Sequence, residues 1–151
     1  MSSSNLAFST RYGTAVLVLL LLAGIGHAWA QSSQACLDYG PVEIRLTGTI
    51  VRKTYPGPPE YESVRKGDAP ERYWLLVLSN PVCTNEDRPN FDPAYKNVRR
   101  LQLIFDSERA YKKYRSLLGK EAVATGTLFA GNNIHHKTRV LLIVSTLKKA
   151  K

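Results

Sequence analysis

One helical segment, placed after three strand-like segments and before two more, constrains the fold of this chain most tightly. Pro41 to Lys53 (PVEIRLTGTIVRK) alternates, with Val42, Ile44, Leu46, Gly48 and Ile50 on one face and Glu43, Arg45, Thr47 and Thr49 on the other. That is the pattern of a half-buried strand. Arg72 to Ser79 (RYWLLVLS) is apolar on both faces and reads as a strand covered on both sides. Val98 to Phe105 (VRRLQLIF) alternates again, with Leu101, Leu103 and Phe105 inward and Arg100 and Gln102 outward. Asp106 or Ser107 then offers an N-cap, and Glu108 suits the positive end of a helix dipole. Ala110, Tyr111, Tyr114, Leu117 and Leu118 make an apolar stripe that Gly119 stops, predicting a helix over about Glu108–Leu118. Glu121–Phe129 and Arg139–Leu147 are the last two strands.

The order strand, strand, strand, helix, strand, strand matches the five-stranded Greek-key barrel of the OB type. A generic α+β sandwich would not require the helix at that place. The expected fold class is therefore mainly β: a small OB-fold-like barrel (β-β-β-α-β-β) with one short helix. Gly48 and Gly126, each between threonines, suit sharp bends in barrel strands. Antiparallel pairing of the first two strands would bring Cys36, before the first, near Cys83, after the second. Such a disulfide closes about 47 residues and would contribute roughly 4 kcal/mol in the chain-entropy model. Lipidation of Cys36 is the alternative, weakened by Gln34 and by its distance from the apolar run.

Residues 1–30 have the order of a secretory leader: Arg11 as the sole charge, the apolar run Gly13–Gly26, then Ala28-Trp29-Ala30 before Gln31. The run would reach only about 21 Å as a helix, short of a hydrocarbon core of about 30 Å. The expected organisation is a signal peptide (1–30), a lead-in (31–41), the barrel domain (42–147) and a solvated, frayed basic tail (148–151). No later apolar stretch is long enough to span a membrane. Removing the leader takes one of the 21 basic residues and none of the 12 acids, leaving a net charge of +8. An exported basic domain, periplasmic or extracellular, is drawn to anionic surfaces.

In OB barrels the loops between strands one and two and between strands four and five flank the binding face. Here those are Thr54–Glu71, stiffened by Pro56, Pro58, Pro59 and Pro70, and Ala130–Thr138 (AGNNIHHKT). Loops of that length are usually functional or disordered, and the prolines favour a shaped loop. The candidate ligand-binding residues are Tyr55, Tyr61, Arg65, Lys66, Tyr73, Arg100, Gln102, His135 and His136: tyrosine faces for rings, basic groups for carboxylate or phosphate. The alternative is that Tyr55 and Tyr61 fold back to plug the barrel mouth. Asn80–Asn97, polar and with three prolines, is expected to be a long loop.

LTGTI (46–50), YPGPPEYES (55–63), GDAPE (67–71), YWLLVL (73–78), PVC (81–83), LLGK (117–120), GTLF (126–129) and HHKT (135–138) occur here in this order. In these motifs the chain resembles a family of small exported bacterial proteins catalogued as a domain of unknown function. The resemblance covers about Val42 to Leu147, and Thr84–Lys96 is longer and more polar than that family suggests. It implies bacterial export and a shared small domain. It brings no catalytic residue, cofactor or ligand.

The residues therefore point to a non-enzymatic, monomeric envelope module for a glycan or other anionic ligand. A protein partner is the alternative, for example a secreted hydrolase that the domain inhibits or recruits. Metal binding through His135 and His136 is a third reading, weakened because neighbours in a strand face opposite ways and no Cys-x-x-Cys or His-Glu-x-x-His pattern adds ligands. No nucleophile elbow, spaced carboxylate pair or phosphate-cradling loop argues for catalysis. Nucleic acid is not expected as a physiological partner, because export opposes it and no stacking platform is evident. No cofactor is expected.

Overall fold

The computed structural model describes residues 35–151; the leader reading falls outside them. Five strands close a barrel in the order β1-β2-β3-β5-β4: β1 (Ile44–Pro56), β2 (Pro70–Thr84), β3 (Tyr95–Ile104), β4 (Glu121–Ala130) and β5 (Val140–Lys149). All neighbours are antiparallel except β3 and β5, which pair in parallel from Leu101↔Val140 to Ile104↔Ile143. The OB-like expectation holds.

Alternation decides the interior. Leu46 and Ile50, Trp74, Leu76 and Leu78, Leu101 and Leu103, Ala122, Ala124 and Leu128, and Val140, Leu142 and Leu147 pack into one core. Strand β2, apolar on both faces, is thereby oriented: Trp74, Leu76 and Leu78 point in, while Tyr73, Leu75 and Val77 point out. Gly48 and Gly126 lie where a neighbouring strand crosses closely. A Cβ at either would collide with a backbone carbonyl, that of Val77 or of Ile143. Beside Gly126, Ser145 is left out of the pairing and bulges, so that Val144 and Leu147 both face the core.

Helix α1 (Glu108–Tyr114) starts where expected, with the Ser107 hydroxyl accepting from the Ala110 N–H at 3.4 Å. It ends earlier than the stripe suggests and tightens into a 3₁₀ turn over Arg115–Leu117, with Gly119 following at φ 75°. Its Tyr111 and Tyr114 pack against Trp74 and Phe105 of the core with ring centroids 4.6 to 5.7 Å apart, edge to face except for the tilted Phe105–Tyr114 pair.

Three expectations change. β1 and β2 run on into the first loop, so the connection spans only 57–69. The expected loop Asn80–Asn97 shrinks to 85–94, because β2 continues to Thr84 with an irregular register against β3. The basic tail is not frayed: Lys148 and Lys149 pair with Val123 and Ala122, and the Ala150 N–H donates to the Glu121 carbonyl. Polar strand ends extend because their backbone groups find partners, which side-chain patterning does not register.

Cys36 and Cys83 form a disulfide with Cα atoms 4.7 Å apart. The lead-in is tied beside it: the Leu37 N–H donates to the Cys83 carbonyl, and the Asn85 N–H to that of Leu37. Buried Tyr39 donates to the Pro93 carbonyl at 2.8 Å and lies 3.1 Å from the Thr84 hydroxyl.

Candidate functional site

The outer face of the sheet carries a row of registered residues, Val51, Leu75, Gln102, Leu141 and Phe129, on five successive strands. Leu75, Gln102 and Leu141 point away from the core yet are buried. The 131–139 loop lies across them. Gln102, expected to face a ligand, is only 2% exposed. Its Nε2 donates to the His135 carbonyl at 3.2 Å and its Oε1 accepts from the Lys137 N–H at 2.7 Å. Its backbone N–H donates to the Thr138 hydroxyl. Gln102 is thus corrected from ligand contact to the pin that fastens this loop to β3.

The 57–69 loop is a built object, organised around a buried carboxylate. Asp68 accepts from the backbone N–H groups of Glu60, Glu62 and Ser63 at 2.6 to 2.9 Å. Those donors, Ser63 first and Glu60 next, hold its pKa below the ordinary carboxylate value against the opposing pull of burial. The Gly57 N–H donates to Ala69, and the Ala69 N–H to Pro58, which closes the base of the loop. Tyr61 takes a left-handed conformation, φ 61°.

Between the two loops lies an aromatic cage. Tyr55 and Tyr73 stand diagonally across β1 and β2, ring centroids 5.9 Å apart and edge to face. Tyr61 enters from the loop and meets His135 edge-on at 5.9 Å. The Lys137 ammonium lies 5.4 Å from the Tyr61 and Tyr73 ring centres and 6.0 Å from that of Tyr55. It donates to the Ile134 carbonyl at 2.7 Å and is 4.0 Å from the Glu71 carboxylate. Glu71 accepts from the Tyr73 hydroxyl at 2.6 Å. Burial first, and that carboxylate second, push the Tyr73 phenol far up. Burial also raises Tyr55, against an opposing pull from the Arg100 guanidinium. The tyrosine faces expected to be open to a ligand are turned on the protein's own lysines, Lys137 and, 5.1 Å from the Tyr55 ring centre, Lys53.

The histidines part company. His136 packs on Phe129 with centroids 5.3 Å apart, and its Nδ1 accepts from the Asn132 N–H at 3.0 Å. Burial, then the neighbouring His135, lowers its pKa. His135 turns to Tyr61, so the two imidazoles serve different aromatic partners. Among the described residues no group of three or more His, Cys, Asp and Glu side chains could hold a metal ion.

A basic groove of about 410 Å³ runs where β3 meets the 131–139 loop, lined by Lys96, Asn97, Val98, Arg99, Arg100, Lys137, Thr138 and Arg139. Val98 and Leu101 both face the core, so Arg99 and Arg100 between them are both exposed. Among the described residues, Lys96, Arg99, Arg100 and Arg139 make no ion pair. A hollow of similar size lies by Tyr39 and is lined by Asp38, Glu86 and Asp87 with Asn85, Arg88 and Pro89, a poor home for an anion.

Of the expected contacts, Arg100 lines the groove, and Tyr55, Tyr61 and Tyr73 form the cage with His135 at its edge. Arg65 and Lys66 sit on an exposed 3₁₀ turn, Lys66 paired with Glu62 at 3.6 Å, and line neither feature. Lys96, Arg99, Lys137, Arg139 and Glu71 join the site without having been expected there. The HHKT motif places Lys137 opposite the tyrosine loop, and that is the available signal. The doubled exposure of Arg99 and Arg100 has none, because strict alternation would turn one of them inward.

These features define a small disulfide-tied, OB-like β-barrel whose two long loops fold onto its outer face. A family model described as a domain of unknown function (DUF4431) matches residues 100–148, from Arg100 in β3 through β4 and β5. The match includes the LLGK, GTLF and HHKT motifs and the loop that carries Lys137. No curated protein matches the chain.

Proposed function

We propose that this domain is a non-enzymatic binding module of the bacterial envelope, which holds an anionic ligand such as an acidic glycan in the groove beside β3. One observation carries the reading. Lys96, Arg99, Arg100 and Arg139 surround the groove with no carboxylate in its lining. Four like charges repel one another, and an anion offsets that repulsion while accepting charge-assisted hydrogen bonds. The disulfide supports an oxidising compartment, periplasmic or extracellular. With the tyrosines engaged by Lys137, the ligand is recognised by charge rather than by ring stacking.

The test is an amide NMR titration of the oxidised protein with soluble muropeptides, repeated with neutral chitooligosaccharides. Shifts gathered at Lys96–Arg100 and Thr138–Arg139, weakening with salt and lost in Arg99→Glu/Arg100→Glu, are expected. Equal shifts with the neutral sugars, or none at the groove, would reject the reading.

A protein partner is favoured by a different observation. Phe91 is 92% exposed and sits at φ 58° on the short turn 88–91, pinned by paired backbone hydrogen bonds between Asp87 and Asp92. A left-handed phenylalanine with no apolar cover is unfavourable for the isolated fold, whereas projecting aromatics are common anchors at interfaces. On this reading a secreted hydrolase co-purifies with the domain from envelope extract, and Phe91→Ser abolishes the capture without lowering Tm. Capture that survives Phe91→Ser would exclude Phe91 as the anchor.

A further inference from the structure

The structure assigns a second binding site: the cage of Tyr55, Tyr61, Tyr73 and Glu71 is an alkylammonium site, and Lys137 is its tethered occupant. Three aromatic rings lie within 6.0 Å of one ammonium, with a carboxylate at 4.0 Å. This is the chemistry by which proteins recognise quaternary ammonium and methylated lysine groups. The groups come from three separate places: Tyr55 and Glu71 are registered partners on β1 and β2, Tyr73 stands two positions along β2, and Tyr61 belongs to the 57–69 loop. Room is also built for the carboxylate, because a Cβ on Gly57 would collide with the Glu71 side chain. The Lys137 side chain is only 10% exposed. A lysine kept from water in this way is held by what surrounds it, since its ammonium is otherwise strongly hydrated.

The tether has a consequence for the fold. Lys137 belongs to the 131–139 loop and Tyr61 to the 57–69 loop, so filling the cage joins the two loops over Leu75, Gln102 and Leu141. A short tether gives its own ligand an effective concentration of about millimolar, so a dilute external amine does not displace Lys137. Emptying the cage by mutation opens the site to a free alkylammonium. The cage and the anion groove share Lys137, which lines both, but the groove needs no tyrosine.

The test compares wild type, Lys137→Ala and Lys137→Met by tyrosine-ring and methylene NMR, with n-butylammonium chloride, n-butanol and sodium chloride as additives. In wild type the Lys137 ε-methylene protons are expected upfield, shielded by the rings, and the tyrosine signals are expected to ignore dilute butylammonium. In Lys137→Ala, butylammonium is expected to shift the Tyr55, Tyr61 and Tyr73 signals saturably and to raise Tm, while butanol and sodium chloride do neither. Adding Tyr61→Leu should abolish that response. If Lys137→Ala does not fold, Lys137→Met keeps the stem without the charge: the Tyr55, Tyr61 and Tyr73 ring shifts of wild type should persist in Lys137→Arg and be lost in Lys137→Met, and equal ring shifts in all three would overturn the assignment. Unshifted ε-methylene protons in wild type, or butanol acting as well as butylammonium, would overturn the assignment.

Discussion

Gly48 and Gly126 are needed for space: a methyl group at either meets a carbonyl of the strand alongside. Gly48→Ala and Gly126→Ala should each cost about 1–3 kcal/mol, the usual range for overpacking, and a lower urea midpoint with unchanged m-value would show it. Gly67 makes a contrasting site: a Cβ there would meet nothing within 4 Å, so only its φ of 115° resists substitution. Asp68 acts at the same scale but through protons. Its folded pKa is lowered by the Ser63, Glu60 and Glu62 N–H groups, so its contribution is present above the unfolded carboxylate value and lost as pH falls through the folded one. In Asp68→Asn, and in wild type at acid pH, the amides of Glu62 and Ser63 should lose protection against hydrogen exchange while β3 keeps its own. Unchanged protection would remove Asp68 as the organiser of the loop. Both glycines are readable as special from their Thr-Gly-Thr settings. Asp68 is not, because its role depends on three backbone donors that sequence spacing does not display.

At the scale of elements, strand alternation is legible wherever one face meets the core and the other meets water. It fails where loops cover the outer face. Strand β2 reads as buried on both sides for that reason, and Gln102 reads as an exposed polar residue although it is a buried pin hydrogen-bonded through both its amide nitrogen and its amide oxygen. Gln102→Leu would keep the bulk but leave the Lys137 N–H and the His135 carbonyl without partners, at a cost of about 1–3 kcal/mol. Faster amide exchange confined to 131–139, with lower stability, is the expected signature, and wild-type exchange there would refute the pin. The same loop should loosen on acidification. The His136 Nδ1 must stay unprotonated to accept from the Asn132 N–H, and the folded pKa is lowered by burial and by His135. The unfolded state therefore takes up its proton first. Stability is complete above the ordinary histidine value and declines as pH falls below it. Following the Asn132 amide shift and Tm between neutral and mildly acid pH checks this, and His136→Gln should flatten the dependence.

At the scale of the molecule, the barrel is closed on its strands but held at one end by chemistry outside them. The disulfide joins the lead-in to the end of β2, and Leu37, Tyr39 and Asn85 carry that attachment onward through hydrogen bonds to Cys83, Pro93, Thr84 and Asp38. The topology, the helix position and the cysteine pair are legible together because each demands the other two. The cage is legible only as its tyrosines and His135, while Lys137, Glu71 and the groove are not, since these arise where separate segments meet. The cage residues of β2, Glu71 and Tyr73, lie at the opposite end of that strand from Cys83, and the groove lies on β3. Its loss should therefore weaken the whole domain more than either site. Closing a loop of 47 residues contributes about 4 kcal/mol in the chain-entropy model, a large part of the stability of a domain this size. Cys36→Ser/Cys83→Ser should lower the urea midpoint by a corresponding amount while the fraction still folded keeps the shielded Lys137 signal. If that signal vanished before the barrel unfolded, the disulfide end and the cage would be one cooperative unit, and the division drawn between them would be wrong.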